Sequence, residues 1–269
     1  MVLRGGGDLA TGVAWRLHRS GFAVVVLELA DPLTVRRRVA LSSAVHEGVV
    51  EIEGLIGRLA STFADAVALT RQHEVAVVVA PDWPTVWPDG GRPSAVVDAR
   101  LAKRNIDTTI DDAPLVIGLG PGFAVGIDCH AVVETMRGAQ LGRVFWTGSA
   151  AENTGTPGEV GGHGADRVLR APCAGVVAWS LGIGAQVASG DVIGWVGDAT
   201  VAAPFDGVVR GLIRPGTLVT VGLKVGDVDP RGAKVAADEI SDKALAVGGG
   251  VLEAVLTWLA KSDDSGAPR

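Results

Sequence analysis

The chain has 269 residues, 48% of them hydrophobic and 20% charged, enough apolar material for sizeable cores in one or two domains. Lys and Arg number 24 against 30 Asp and Glu, a net charge of −6 that gives no polyanion footprint and excludes nucleic acid as an expected partner. Apolar runs such as 22–27 and 75–80 are far short of a membrane span, and Met1-Val2-Leu3-Arg4 leads straight into glycines without a signal peptide. Cys129 and Cys173 fit no metal spacing and read as reduced thiols, so we expect a cytoplasmic protein with no metal site and no membrane contact.

Val2–Arg4 reads as a short strand. Gly5-Gly6-Gly7-Asp8-Leu9-Ala10 follows and opens a helix with Leu9, Val13 and Leu17 on one face, stopped at Gly21. An apolar strand over 22–27 ends in Glu28. Strand, Gly-x-Gly-x-x-Ala turn, helix, strand and acid come in the order that opens a Rossmann unit. Gly5 and Gly7 would let backbone N–H groups approach a ligand, and Glu28 would accept from ribose hydroxyls. Both glycines read equally well as a tight turn without a nucleotide. Asp8 has two readings, as the cap of the helix or as a ligand contact, and a carboxylate there repels phosphate. After the Asp31-Pro32 break, Arg36-Arg37-Arg38 could meet a phosphate or carboxylate, with Arg36 or Arg37 offsetting Asp8, or form a solvated helix start.

A strand is expected over 49–53, a helix over 63–71 and a buried strand over 75–79. Residues 81–93 form a Pro-rich loop whose Trp83 and Trp87 either cover a pocket or pack over a core edge. A strand over 95–98 ends in Asp98 and leads into a short basic helix over 99–105. A further buried strand, 113–119, closes with Gly118, Gly120 and Gly122. Open α/β sheets bind ligands at such strand ends, so the ligand site is expected where the two glycine loops converge. Residues 128–135 and 142–146 read as a hairpin that places His130 and Glu134 on one face. Asp98, Asp128, His130 and Glu134 are the polar candidates there. They form no recognised nucleophile–base set, and His130 reads equally as a satisfied structural histidine. Residues 153–164 are a glycine-rich loop.

The stretch 171–229 repeats itself. Ala-Pro-Cys-Ala-Gly-Val-Val (171–177) returns as Ala-Pro-Phe-Asp-Gly-Val-Val (203–209), and Gly184, Val187, Gly190, Gly194 and Val196 return as Gly216, Val219, Gly222, Gly226 and Val228. Short Val-rich runs between Gly turns predict strands, and two such copies are expected to interlock into a small barrel. The stretch resembles the barrel-sandwich hybrid of biotinyl and lipoyl carrier domains, through the two-fold repeat, the Ala-Pro-x-x-Gly-x-Val opening and the run Gly190-Asp191-Val192-Ile193. Those carriers present an acceptor lysine on the hairpin between halves. Here that hairpin reads Gly197-Asp198-Ala199-Thr200-Val201, so no covalent biotin or lipoate is expected, and the module reads as structural or docking. Beyond a linker at 229–232, Val251, Leu252, Val255, Leu256 and Leu259 give a helical stripe expected to pack back on the first domain.

The expected architecture is therefore a Rossmann-like α/β domain over 1–165, an all-β barrel-sandwich hybrid over 166–230, a C-terminal helical segment over 231–260 on the first domain, and a disordered tail over 261–269. Several longer motifs resemble the YqeB-type accessory proteins of selenium-dependent molybdenum hydroxylase systems. They are Arg4-Gly-x-Gly-Asp-Leu-Ala-Thr-Gly12, Leu101-Ala-Lys-Arg-Asn105, Pro114–Phe123, Glu134-Thr-x-Arg-Gly138, Asn153-Thr-Gly155 and Ile240–Gly250. The resemblance implies a cytoplasmic role in maturing a molybdenum hydroxylase, by handling its cofactor, selenium or sulfur, with the client enzyme or other maturation factors as partners. It carries over no catalytic residue, and the two separate cysteines weaken a sulfur relay. One reading is a non-catalytic factor holding a nucleotide or the molybdopterin dinucleotide at Gly5, Gly7, Asp8, Glu28, Arg36, Gly118, Gly120 and Gly122. The other is a nucleotide-dependent enzyme using the same site.

Overall fold

The computed structural model describes residues 1–84, 87, 90–153, 155, 162–232 and 237–264, with residues 263 and 264 as backbone only. Two compact units emerge: residues 1–30, 41–153 and 240–269 make the first, and residues 31–40 and 154–239 the second.

The first unit is built on β1 (Val2–Arg4), α1 (Asp8–Arg19), β2 (Val25–Glu28), α2 (Ala44–Glu47), β3 (Val49–Ile52), β4 (Leu55–Ala60), α3 (Phe63–Arg71), β5 (Val75–Val79), β6 (Ala95–Asp98), β7 (Leu115–Leu119), β8 (Ala131–Val133) and β9 (Val144–Phe145). They form a nine-stranded sheet in the order β3-β4-β5-β2-β1-β6-β7-β8-β9. The strands from β4 to β8 pair in parallel, and the edge strands β3 and β9 pair antiparallel. The central strands read as unbroken Val/Leu/Ile runs because both their faces are covered.

One face carries α1 and the long C-terminal helix, which we call α4 (Asp242–Asp264), over Leu3, Val26, Val97, Ile117 and Val133. The other carries α3, with Ala66 buried, over Val2, Val78, Val96 and Val116. Helices α1 and α4 approach so closely that a Cβ on Gly12 would overlap the Ala244 carbonyl, and the bare glycine permits the contact. That approach decides which stripe of α4 is inward. Ala244, Val247, Val251, Ala254 and Val255 are buried, whereas Leu256 and Leu259 of the expected stripe are exposed. By length and composition alone α4 is apolar enough to cross a membrane, but this inward stripe belongs to the unit's core.

The second unit holds two antiparallel sheets. The first is β10 (Val168–Arg170), β17 (Lys224–Asp229), β15 (Gly207–Leu212) and β12 (Gln186–Val187), and the second is β14 (Ala199–Ala202), β13 (Val192–Val196), β11 (Gly175–Trp179) and β16 (Leu218–Val219), each in that spatial order. Each repeat lends a two-residue strand to the other's sheet: β12 of the first copy pairs with β15, and β16 of the second with β11. Val177, Ile193, Val209 and Val228 share the core between the copies. Residues 31–40 join this unit: Val35 lies against Gly211, and the Arg37 Nε–H donates to the Leu212 carbonyl at 2.7 Å.

The expected fold class is corrected on both counts. The α/β part is not a Rossmann-like unit but a mixed sheet with antiparallel strands at both edges. The connections β6–β7 and β7–β8 are loops and a 3-10 turn rather than crossover helices, since 99–114 and 120–130 lack any helical apolar stripe. The all-β part is not a barrel-sandwich hybrid but two separate four-stranded sheets facing one core. The repeat fixes strand spacing, while closure depends on hydrogen bonds between edge strands that spacing does not specify.

The helix over 63–71 forms as its periodicity predicts, with the Thr62 side chain accepting from the Asp65 backbone at its N-cap. The basic helix expected over 99–105 does not form, and Leu101 and Lys103 sit in the left-handed region at φ 53° and 63°. The tail expected from Lys261 continues as α4 to Asp264, and the rest of it lies outside the described residues, as do Pro88 and most of the glycine-rich loop 153–164.

Candidate functional site

The carboxyl ends of β1, β6, β7 and β8 lie side by side, with Arg4 opposite Asp98 and Asp98 opposite Gly118 in register. The glycine turn after β1 is closed on two sides. The Gly6 carbonyl accepts from the Ser42 backbone at 2.8 Å, and a Cβ on Gly5 would crowd the Ala99–Arg100 backbone. Only Gly7, the N-cap of α1, faces open space. It has no side-chain cap hydrogen bond, and Asp8 is the first helical residue rather than the cap. Glu28 is spent on this turn: one oxygen accepts from the Gly6 N–H at 2.7 Å and the other from the Leu29 N–H at 2.7 Å. Burial pushes its carboxyl above the ordinary range, against the pull of those two bonds.

The second glycine loop packs on its own chain. Phe123 folds over Gly118, Thr135 fills the space at Gly120, and the Arg104 backbone fills it at Gly122. Gly120 and Gly122 hold φ of 74° and 104°, where a side chain is strained as well as crowded. Arg36 belongs to the second unit, where it is buried and donates to the Glu239 carbonyl at 3.0 Å.

Between the glycine loops stands a buried polar network. Arg100 grips Asp98 with its Nε and one terminal nitrogen, the shortest contact being 2.6 Å, and reaches Asp107 with the other at 2.7 Å. The Thr108 hydroxyl donates to Asp98 at 2.7 Å and accepts from Arg4 at 2.8 Å. Arg4 also pairs with Asp107 at 2.7 Å, and its guanidinium lies 5.3 Å from the Trp83 ring centre. Asn105 extends the chain, donating to the Thr108 carbonyl and to Asp128 at 2.8 Å, while the other Asp128 oxygen accepts from the Ala124 N–H. Asp98 and Asp128 are thus joined through Thr108 and Asn105. The left-handed Leu101 and Lys103 are held because Arg100 and Asn105, on either side, are pinned.

His130 and Glu134 lie at opposite ends of β8. The His130 Nδ1 accepts from the Val116 N–H at 3.0 Å, and burial lowers its pKa, so the ring is neutral at physiological pH. Glu134 is 1% exposed, and its oxygens accept from the N–H groups of Thr135, Met136 and Ala151. Arg4, Arg100, Asp107 and Thr108 are not among the site residues expected from the sequence, because Arg4 reads as a strand residue, Arg100 as part of a short basic helix, and Asp107 and Thr108 carry no motif. The signal that could have found them is an arginine at the end of a buried strand, which needs a partner. No group of three or more His, Cys, Asp or Glu suited to a metal occurs among the described residues.

No family model matches the chain. It is similar to the uncharacterized protein YqeB of Escherichia coli strain K12, at 48% identity over 256 residues. The match covers 95% of this chain and 47% of that protein, so the chain spans about half the length of the curated relative it matches. Among solved structures, an aspartoacylase family protein from Mesorhizobium loti aligns at TM-score 0.23 and 18% identity, over 24% of this chain and 23% of that one. The product-bound ectoine utilization protein EutE (DoeB) from Ruegeria pomeroyi aligns at TM-score 0.23 and 14% identity, over 84% and 56%. A succinylglutamate desuccinylase from Silicibacter aligns at TM-score 0.24 and 12% identity, over 84% and 83%. Similarity this slight carries no argument about fold or activity.

Proposed function

We propose, on the premise that this chain is a YqeB-family protein, that it is a non-catalytic accessory factor in the maturation of a molybdenum hydroxylase, acting in the cytoplasm. The observation that carries the non-catalytic reading is the use made of the polar candidates. Asp98 neutralises Arg100, Asp128 ties Asn105 to the Ala124 backbone, His130 accepts from Val116, and Glu134 ties down three backbone N–H groups. Side chains committed in this way hold loops in place, and a general base must instead offer a lone pair to substrate. The molybdenum and selenium context rests on the motif resemblance alone.

In this reading a nucleotide or molybdopterin dinucleotide is held at the open Gly7 end of α1, where the N-cap has no side-chain hydrogen bond and a Cβ would meet no neighbour. The second unit meets the client. Its sheet β14-β13-β11-β16 turns Val176, Val192, Trp195 and Leu218 outward, with exposures of 39–75%, which suits an apolar contact. Native mass spectrometry of the purified chain, alone and with an apo molybdenum hydroxylase, tests the proposal. A retained pterin nucleotide or a stoichiometric complex supports it. Neither species, together with full hydroxylase activity in cells lacking the gene, overturns it.

A further inference from the structure

The second unit carries a separate cluster of buried charge on β15 and β17. Asp227 and Asp229 are 3% and 0% exposed, and each already has its own arginine. A terminal nitrogen of Arg167 reaches both oxygens of Asp227, at 2.9 and 3.0 Å. Arg231 grips Asp229 through Nε at 3.0 Å and a terminal nitrogen at 2.8 Å, and its backbone N–H adds a third bond at 3.1 Å. Lys224 stands a further 3.9 Å from Asp227.

Arg210 is left over. It is 9% exposed and sits at the irregularity in the β15–β17 ladder between Val209 and Gly211. Its one ion pair among the described residues is a long contact of 3.5 Å to the Asp229 oxygen that Arg231 already holds. Its Nε is buried with no hydrogen-bond partner among the described residues. Burial lowers its pKa, and the charge of Arg36 adds to that before Asp229 and Asp227 can offset it. A guanidinium does not lose its proton in the accessible range, so the mismatch remains as uncompensated charge. Among the described residues Arg210 thus has only a long contact to a carboxylate that Arg231 already holds, and a buried cation so placed is a receptor for an anion.

We propose that Arg210 is the anchor of an oxyanion-binding site in the second unit that takes a phosphoryl group, free or carried by a nucleotide. The planar fork of a guanidinium matches two phosphoryl oxygens, and an anion there offsets the Arg210 charge that the long Asp229 contact leaves. A bulge is where a strand can re-aim one side chain out of the ladder, which accounts for a charged residue within an otherwise apolar strand. The site lies in a different unit from the Gly7 turn and does not depend on the accessory role.

The test compares thermal unfolding of the full chain and its Arg210→Leu and Arg210→Lys variants in inorganic phosphate, pyrophosphate and adenosine 5′-phosphates, each against sodium chloride of equal ionic strength. The wild type is expected to gain several degrees in one of these anions beyond the chloride control. Arg210→Leu is expected to be at least as stable as wild type without anion, because the burial cost of its charge outweighs its long pull on Asp229, and to lose the anion-dependent gain. Arg210→Lys should keep a reduced gain. A gain in pyrophosphate or phosphate alone identifies a free oxyanion, and one confined to the adenosine phosphates identifies a nucleotide. Equal anion response in wild type and Arg210→Leu, or no response to any of them, overturns the proposal. So does a loss of stability in Arg210→Leu without anion, which would mark Arg210 as a needed partner of Asp229. Gly7 variants should leave this response unchanged, which separates its failure from failure of the accessory reading.

Discussion

The carboxylate of Glu28, which ends β2, accepts a 2.7 Å hydrogen bond from the backbone N–H of Gly6 in the turn after β1. The acid that a dinucleotide-binding unit would use to read a ribose here holds the glycine turn itself. Glu28→Ala should therefore lower stability by about 1–3 kcal/mol, because the Gly6 and Leu29 N–H groups lose their acceptor. Urea unfolding measures this, and Glu28→Gln, which keeps one acceptor oxygen, should lie between the two. An unchanged midpoint in Glu28→Ala would show that the turn holds without it.

The glycines of the two loops should respond differently to substitution. Gly7→Ala should change stability by less than about 0.5 kcal/mol, since Gly7 has an ordinary φ of −67° and open space where a methyl would go. Gly122→Ala should cost about 1–3 kcal/mol or more, because its methyl meets the Arg104 backbone at a left-handed φ. Thermal unfolding of both variants decides this, and equal losses would contradict the packing described.

Asp98 is 2% exposed and holds Arg100 and Thr108. Asp98→Ala should cost about 3–5 kcal/mol by leaving the Arg100 charge short of its partner. A stable Asp98→Ala protein that loses ligand binding would instead place Asp98 at the ligand.

The two thiols should separate on labelling. Cys129 is buried and its thiol is pushed up to about 11, mainly by burial. Cys173 is half-buried. A disulfide exchange reagent at about pH 8 should modify Cys173 in the native protein, and Cys129 only after unfolding. Rapid reaction of two thiols per chain would mean that the sheet opens readily around Cys129.

Burial raises the Asp229 carboxyl, but hydrogen bonds from Arg231 and the charges of Arg231 and Arg210 outweigh it, leaving its pKa below the ordinary 3.8. Asp107 shifts the same way through Arg4 and Arg100. A carboxylate depressed in the folded state contributes stability that is present above its unfolded value and lost as pH falls through its folded one. Stability should thus be flat above about pH 5 with respect to these groups and fall steeply below about pH 4. Asp229→Asn should make that acid slope shallower, as followed by urea midpoints across the range.

The sequence by itself determined most of the buried strands, though not β4, whose Leu-Ile-Gly-Arg-Leu-Ala run shows neither a clean alternation nor an unbroken apolar stretch. Val-rich runs such as 75–79, 95–98 and 115–119 can bury two faces only in the middle of a parallel sheet, and the repeat over 171–229 sets matching strands in its two halves. It also determined the helix over 63–71, whose cap and periodicity are local. Tertiary structure alone decided how the sheets end and what the polar residues do. Two-residue strands such as β12 and β16 exist only because the other copy supplies their partner, and no local pattern encodes that exchange. Leu101 and Lys103 leave the helical region because Arg100 is drawn to Asp98 and Asn105 to Asp128, and the second of these contacts joins residues 23 apart that only the tertiary structure brings together. That Glu28 braces the turn is illegible in the sequence for the same reason: the distance from its carboxylate to Gly6 is set by the pairing of β1 with β2, which spacing along the chain does not fix.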